Sequence, residues 1–286
     1  MVDYKEHFPF DSIRPQQAEA IDFAIETFLN SDKRFCVIEA GTGVGKSAIG
    51  LTVARYVSEN RSNHAELFSP GSYFITTQKI LQEQYVRDFP TVVSLKSSSN
   101  YKCTYHKSNS CSESQKLLKT ADKSSRFFKS CAFNCKYKNQ KEKFLNSAES
   151  ITNFSYFLTE ANYSGKMVPR QVLVIDEGHN VETELSKFIE ITVSEYFSKS
   201  ILKLSFPKKL TQFQTFSWIK ETYLPAASRR LKFFEDSIEK MGGEKLRESL
   251  KQFESVTKQY DLLRSHITKI KQFVKIYKSD NWVFYP

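Results

Sequence analysis

Residues 40–47 read AGTGVGKS, and residues 172–179 read VLVIDEGH. The first run carries the residue types that bind a polyphosphate. Glycines at this spacing let the backbone curl until its N–H groups converge on an anion. In that pattern Lys46 is a point charge for the β- and γ-phosphates and Ser47 offers a hydroxyl to Mg²⁺. A helix starting there points its positive end at the same anion. Gly41, Thr42, Gly43, Gly45, Lys46 and Ser47 are therefore expected to bind ATP. In the second run an apolar strand delivers Asp176 to hold the Mg²⁺ opposite Ser47. Glu177, next to it, is placed to orient or deprotonate an attacking water. Lys46, Asp176 and Glu177 form the expected catalytic set.

A second chemistry-bearing group is Cys103, Cys111, Cys131 and Cys135, spaced C-x7-C-x19-C-x3-C. Four thiolates this close in sequence can ligate Zn²⁺ tetrahedrally or hold a [4Fe–4S] cluster, and spacing alone does not separate the two. Only Cys131 and Cys135 make the close pair usual for zinc, a mild argument for the cluster. The fifth cysteine, Cys36, lies in an apolar run and reads as a small buried side chain. An odd count without a secretion signal argues against a disulfide framework.

The elements that must position these residues follow from the flanking patterns. RPQQAEAIDFAIETFLN (14–30) has helical spacing, and RFCVIEA (34–40) reads as a short strand running into the glycine loop. SAIGLTVARYVSE after Lys46 reads as a helix, completing the strand, loop and helix that open a parallel α/β unit. SYFITT from Ser72 is a second strand, QKILQEQYVRDF a helix, and QVLVIDEGH a buried strand ending in acids. Residues 92–148 show no strand pattern and cannot fold by burial alone, so a metal staple is expected there. Beyond Val181 a near-heptad seam runs through Leu246, Leu250, Phe253, Val256, Tyr260, Leu263, Ile267, Ile270, Val274 and Tyr277. With a helix over 229–240 and a turn at Gly242-Gly243, it predicts an antiparallel helical hairpin.

Charge points to the partner. The chain of 286 residues has a net charge of +10. Lys96–Leu145 alone holds twelve Lys plus Arg against three Asp plus Glu. Such a balance favours a polyanion, nucleic acid first. Lys102, Lys107, Lys129, Lys136 and Lys138 lie among Tyr101, Tyr105, Phe127, Phe128, Phe133 and Tyr137. Basic groups meet phosphates and aromatics stack on unpaired bases, so the five lysines and Tyr137 are candidate DNA contacts. A solvated charged face whose aromatics cover the metal is the plainer alternative. No window approaches a membrane span, and the N-terminus has no apolar signal region. An intracellular chain, cytoplasmic or nuclear, is expected, with no membrane partner.

The motifs together resemble superfamily 2 helicases of the XPD/DinG iron–sulfur type. DEGH at 176–179 is similar to the DEAH box, with Gly178 in place of alanine, and AGTGVGKS matches the first ATPase motif. RPQQ (14–17) resembles the element that holds adenine, which implies Arg14 and Gln17 as further ATP contacts. ITTQKILQEQ (75–84) resembles a motif that touches the DNA backbone, which implies Thr77. His179 would couple the ATP site to DNA. The resemblance strongly favours [4Fe–4S] over zinc. It implies an α/β fold with a RecA-like P-loop domain over 1–91 and 149–180. A cysteine-rich metal-cluster insertion would occupy 92–148, a helical arch 181–280, and 281–286 would return to the motor. It also implies 5′ to 3′ movement on single-stranded or forked DNA. A second motor domain, in cis or trans, would complete the ATP site, since no Ser/Thr-Ala-Thr run occurs here. The rival reading is a nucleotide-switched DNA-binding module that does not unwind, stapled by zinc. A nuclease-associated ATPase is weaker, as no nuclease carboxylate cluster stands out.

Overall fold

The computed structural model describes residues 3–60, 68–118, 121–208, 210–241 and 250–278. Two compact units divide the chain: Met1–Ser114 with Lys123–Phe188, and Gln115–Asp122 with Ile189–Pro286.

The first unit's first α-helix is α1 (Pro15–Leu29), where Pro15 supplies a φ already suited to a first helical turn. Ile21, Ala24 and Ile25 of α1 are buried in one core with Ala48, Leu51, Ala54 and Val57 of α2 (Lys46–Asn60). There follow β1 (Ser69–Thr76), α3 (Lys79–Asp88), β2 (Val93–Ser94), α4 (Cys111–Leu117), α5 (Arg126–Phe133) and α6 (Lys136–Asn146). The unit closes with β3 (Glu149–Asn153), α7 (Phe154–Tyr163), β4 (Arg170–Ile175) and α8 (Val181–Ile189). All strand pairs are parallel, in the order β2-β3-β1-β4. Parallel neighbours need crossovers, and the helices between the strands supply them.

β1 is covered on both faces. Phe74 joins Ile151 and Val172 in the core beneath α1 and α2. Tyr73 joins Leu95, Cys111, Cys135, Tyr137 and Phe144 in a second core. The cysteine-rich segment therefore packs directly against the sheet. Gln82 pins α3 to it: its buried amide donates to Ser94 Oγ, Leu95 O and Ile151 O at 2.8, 2.8 and 3.2 Å.

One expected strand is missing. RFCVIEA forms no ladder. Cys36 and Ile38 pack on the core, while Phe35 and Val37 stand 86% and 88% exposed. The alternation is that of a strand, but its outer face has no cover. Leu173 and Ile175 on β4 are exposed too, on the face of their register partners Tyr73 and Ile75.

The second unit is helical: a π-turn (Phe197–Ile201), α9 (Gln212–Trp218), a second π-turn (Ile219–Tyr223), α10 (Leu224–Met241) and α11 (Leu250–Ile276). α10 and α11 run antiparallel, since Tyr223 meets His266 and Glu235 meets Tyr260. Tyr260, Leu263, Ile267 and Ile270 of the seam are buried, with Phe273 beside them. Leu246, Gly242, Gly243, residues 281–286 and the side chains of Leu250 and Phe253 lie outside the described residues. Among those described, no helix is long and apolar enough to cross a membrane.

Candidate nucleotide site and cysteine pocket

The glycine loop turns through two left-handed residues, Gly43 at φ 81° and Gly45 at φ 88°. A side chain at Gly45 would also meet Gln17 Nε2 at 2.5 Å. The cause is a clasp from α1. Gln17 Nε2 donates to Val44 O at 2.8 Å, and Arg14 Nη1 donates to Gly43 O at 2.7 Å. Both residues expected at the adenine thus touch the loop. Lys46 begins α2, its ammonium donating to Ala40 O and Gly41 O at 3.1 and 3.5 Å.

The acidic pair lies at the carboxyl end of β4, where parallel sheets bind ligands. Asp176 N donates to Ile75 O at 2.9 Å, extending the ladder by one residue. Burial raises the Asp176 carboxyl above its ordinary value and the charge of Glu177 adds to this, while Lys46 pulls it down. Lys46 is therefore within electrostatic reach of Asp176. Glu177 sits at φ 56°, a left-handed conformation that is strained for a non-glycine residue. It is held there by Asn180 N, which donates to Glu177 O at 2.9 Å. His179 Nδ1 lies 3.3 Å from Glu177 Oε2, and both side chains are open to solvent. A cation beside a partly buried acid, with a second acid turned outward, can hold a metal-bound phosphate and accept a proton from water.

Sequence reasoning missed Tyr85. Its phenol is buried under the site and pushed well up, first by burial and then by the charge of Asp176, with a hydrogen bond to Ser47 acting against this. Only its place on the inner face of α3 signalled it. Thr77 lies half-buried just past the end of β1.

The four cysteines come together. All are buried, and they line one pocket with Thr104, Tyr105, Ser114 and Ser130. Among the described residues, no three His, Cys, Asp or Glu side chains stand at the spacing of ligands around one ion. The thiols are gathered without being closed on a single point. Cys111 Sγ and Cys135 Sγ are 3.6 Å apart. That is near the ~3.8 Å edge of a sulfur tetrahedron with bonds of ~2.3 Å. Burial and the neighbouring sulfurs push the Cys111 thiol up to about 12. Cys131 is raised in the same way, and Lys138 opposes it. The Ser114 hydroxyl, also in this pocket, is buried with no hydrogen-bond partner among the described residues. A lining of four sulfurs with no carboxylate or imidazole suits a thiophilic metal.

Lys102, Lys107, Lys129, Lys136 and Lys138 are all exposed. Tyr137 is not available as a stacking platform: it is 8% exposed, packed under the cysteines, and its hydroxyl meets that of Tyr156 at 2.7 Å. Being one residue into α6 turns it to the core. Phe127 is buried as well, whereas Phe133 is 78% exposed at the end of α5.

No curated protein matches the chain. Residues 11–206 match the model of the family described as "Type III restriction enzyme, res subunit". That stretch is more than half of the chain and contains the glycine loop, the acidic pair and the cysteine pocket. The chain belongs to this family of superfamily 2 helicase-like motor domains.

Proposed function

We propose that the chain is the nucleotide-binding part of an ATP-driven motor on single-stranded DNA, of the iron–sulfur helicase kind that its motifs resemble. The observation that carries this reading is the meeting of Lys46, Ser47, Asp176 and Glu177 around one end of a parallel sheet. In hydrolysis, water attacks the γ-phosphorus, the bond to the bridging oxygen breaks, and the water proton passes to Glu177. Lys46 would offset the charge that builds on the phosphate oxygens, and Ser47 and Asp176 would hold a Mg²⁺ that supplies the same electrostatic stabilisation when bound. Arg14 and Gln17, which clasp the loop, are suited to report whether adenine is bound. His179, paired with Glu177, would carry that state toward DNA. Cations from a second motor domain would complete phosphoryl transfer.

DNA would lie along the exposed lysines and Thr77, with movement 5′ to 3′ as the resemblance implies. Changing all five lysines to glutamine should make the slope of log K against log salt shallower by about 3.5 for a single strand, at roughly 0.7 per phosphate contact. Salt-dependent binding of a dT oligonucleotide measures this. An unchanged slope would move the DNA path elsewhere.

Cys103, Cys111, Cys131 and Cys135 would hold the metal centre, which would staple a segment whose core is shared with Tyr73 of the sheet. By the resemblance it is a [4Fe–4S] cluster, whereas the 3.6 Å sulfur pair suits zinc. Metal and sulfide analysis of anaerobically purified protein decides this. Iron and sulfide near four per chain, lost in Cys131→Ser together with thermal stability, is the expected result. One zinc without sulfide would replace the cluster by a zinc staple. Neither metal would remove the staple altogether.

A further inference from the structure

The helical unit contains a cavity of about 490 Å³, within the range of small-ligand sites. Five rings line it: Tyr196, Phe197, Tyr223, Phe234 and His266. Polar atoms are few and placed apart. Thr192, Ser194 and Gln259 also reach the cavity, and the Tyr223 hydroxyl meets His266 Nε2 at 2.9 Å. Tyr196 and Leu262 are 75% and 63% exposed, so the cavity has an open mouth.

The backbone around it departs from regular helix. Both π-turns of the described residues contribute walls, through Phe197 and Tyr223. Such turns cost hydrogen-bond geometry and concentrate at functional sites. Lys203, just beyond the first, is held at φ 57° without being glycine. Packing alone gives no reason to keep two irregular turns around a hole, since a filled core would be more stable.

Charge indicates the occupant. Between Ile189 and Lys278 the sequence has eighteen Lys plus Arg and ten Asp plus Glu. A ligand that is flat, aromatic, polar at its edge and attached to a polyanion satisfies the rings, the sparse polar atoms and the charge together. We propose that this cavity receives one unstacked base of a single nucleic-acid strand, stacked on the rings and read at its edge by Gln259. The proposal rests on the nucleic-acid reading above and adds a base-binding site to it.

The test compares a dT20 oligonucleotide with an abasic strand of the same length and charge, bound to the full chain. Tyr196→Ala and Gln259→Ala alter exposed side chains, so folding is not at stake. Together they should weaken dT20 binding roughly tenfold, the scale of one base–aromatic stack, and leave the abasic strand unchanged. Equal losses on both strands, or none, would overturn the base site; the cavity would then suit an apolar side chain of a protein partner better. Failure of the unaltered chain to bind either strand would overturn the nucleic-acid reading and this site with it.

Discussion

Replacing Lys46 with alanine should weaken MgATP binding roughly 10- to 100-fold, the scale of one charge-assisted hydrogen bond. In the structure the ammonium is spent on Ala40 O and Gly41 O, two neutral carbonyls of its own loop. Phosphate oxygens are charged acceptors, so exchanging the carbonyls for them is favourable, and alanine forgoes that exchange. The loop itself should survive. Its two left-handed glycines need no lysine, and Arg14 and Gln17 hold Gly43 and Val44 from outside. The melting temperature without nucleotide should therefore move little, at about 1 kcal/mol or less for the lost carbonyl contacts. Titration with a fluorescent ATP analogue in Mg²⁺ reads the first quantity and a thermal melt the second. Undiminished affinity would mean that AGTGVGKS does not bind the phosphates.

The contrast between that loop and the run before it shows what was legible in the sequence. A phosphate loop is a local device: Gly43 and Gly45 answer left-handed backbone turns set within eight residues, so the turn is legible in isolation. RFCVIEA carries a strand's alternation, but a strand also needs a ladder partner and a cover over its outer face. Phe35 and Val37 have neither among the described residues. Alternation reports which side faces the core, and it did so for Cys36 and Ile38; it does not report pairing. The cysteines follow the same logic. Their types and closeness marked a shared pocket, but whether it holds a metal, and which, depends on sulfur positions that spacing does not encode. Tyr137 and Phe133 are both aromatic among lysines, yet one is core and the other is surface. Helix placement decides this: Tyr137 falls on the buried face of α6, and Phe133 ends α5 on its open side. The seam of α11 is a long periodic run, and of its described positions Tyr260, Leu263, Ile267 and Ile270 are buried while Val256, Val274 and Tyr277 are half-buried. Even there Phe273 takes the core position beside the expected Val274.

Arg170 left no signal at all, a lone arginine at the head of an apolar strand, and it should be among the costliest residues to replace. It is 8% exposed, and among the described residues no carboxylate stands beside it. Its guanidinium donates to Ser72 O at 2.8 Å, Ser150 Oγ at 3.0 Å and Ala148 O at 3.3 Å. It also donates to Phe144 O at 3.2 Å and Leu145 O at 3.1 Å. The last two carbonyls belong to the final turn of α6, where helical acceptors lack partners of their own. A cation is favoured there by the helix dipole as well. The same guanidinium lies 4.1 Å from the centre of the Tyr73 ring. One side chain thus closes the C-terminus of α6 and ties it to β1 and β3. Burial lowers its pKa, but an arginine stays charged at any ordinary pH. Arg170→Met keeps the apolar length and leaves buried acceptors unsatisfied, at a cost of about 3 kcal/mol or more. At ~2–4 °C per kcal/mol, that lowers the melting temperature by roughly 6–12 °C. Arg170→Lys should recover only part of the loss, because an ammonium cannot reach carbonyls spread across a guanidinium plane. Hydrogen exchange separates this from a general weakening: amides of α6 should lose protection before those of α2. A melting temperature within 1–2 °C of the unaltered chain, less than 1 kcal/mol, would show that water can replace the guanidinium and that α6 is anchored by Tyr73, Phe144 and the cysteine pocket instead.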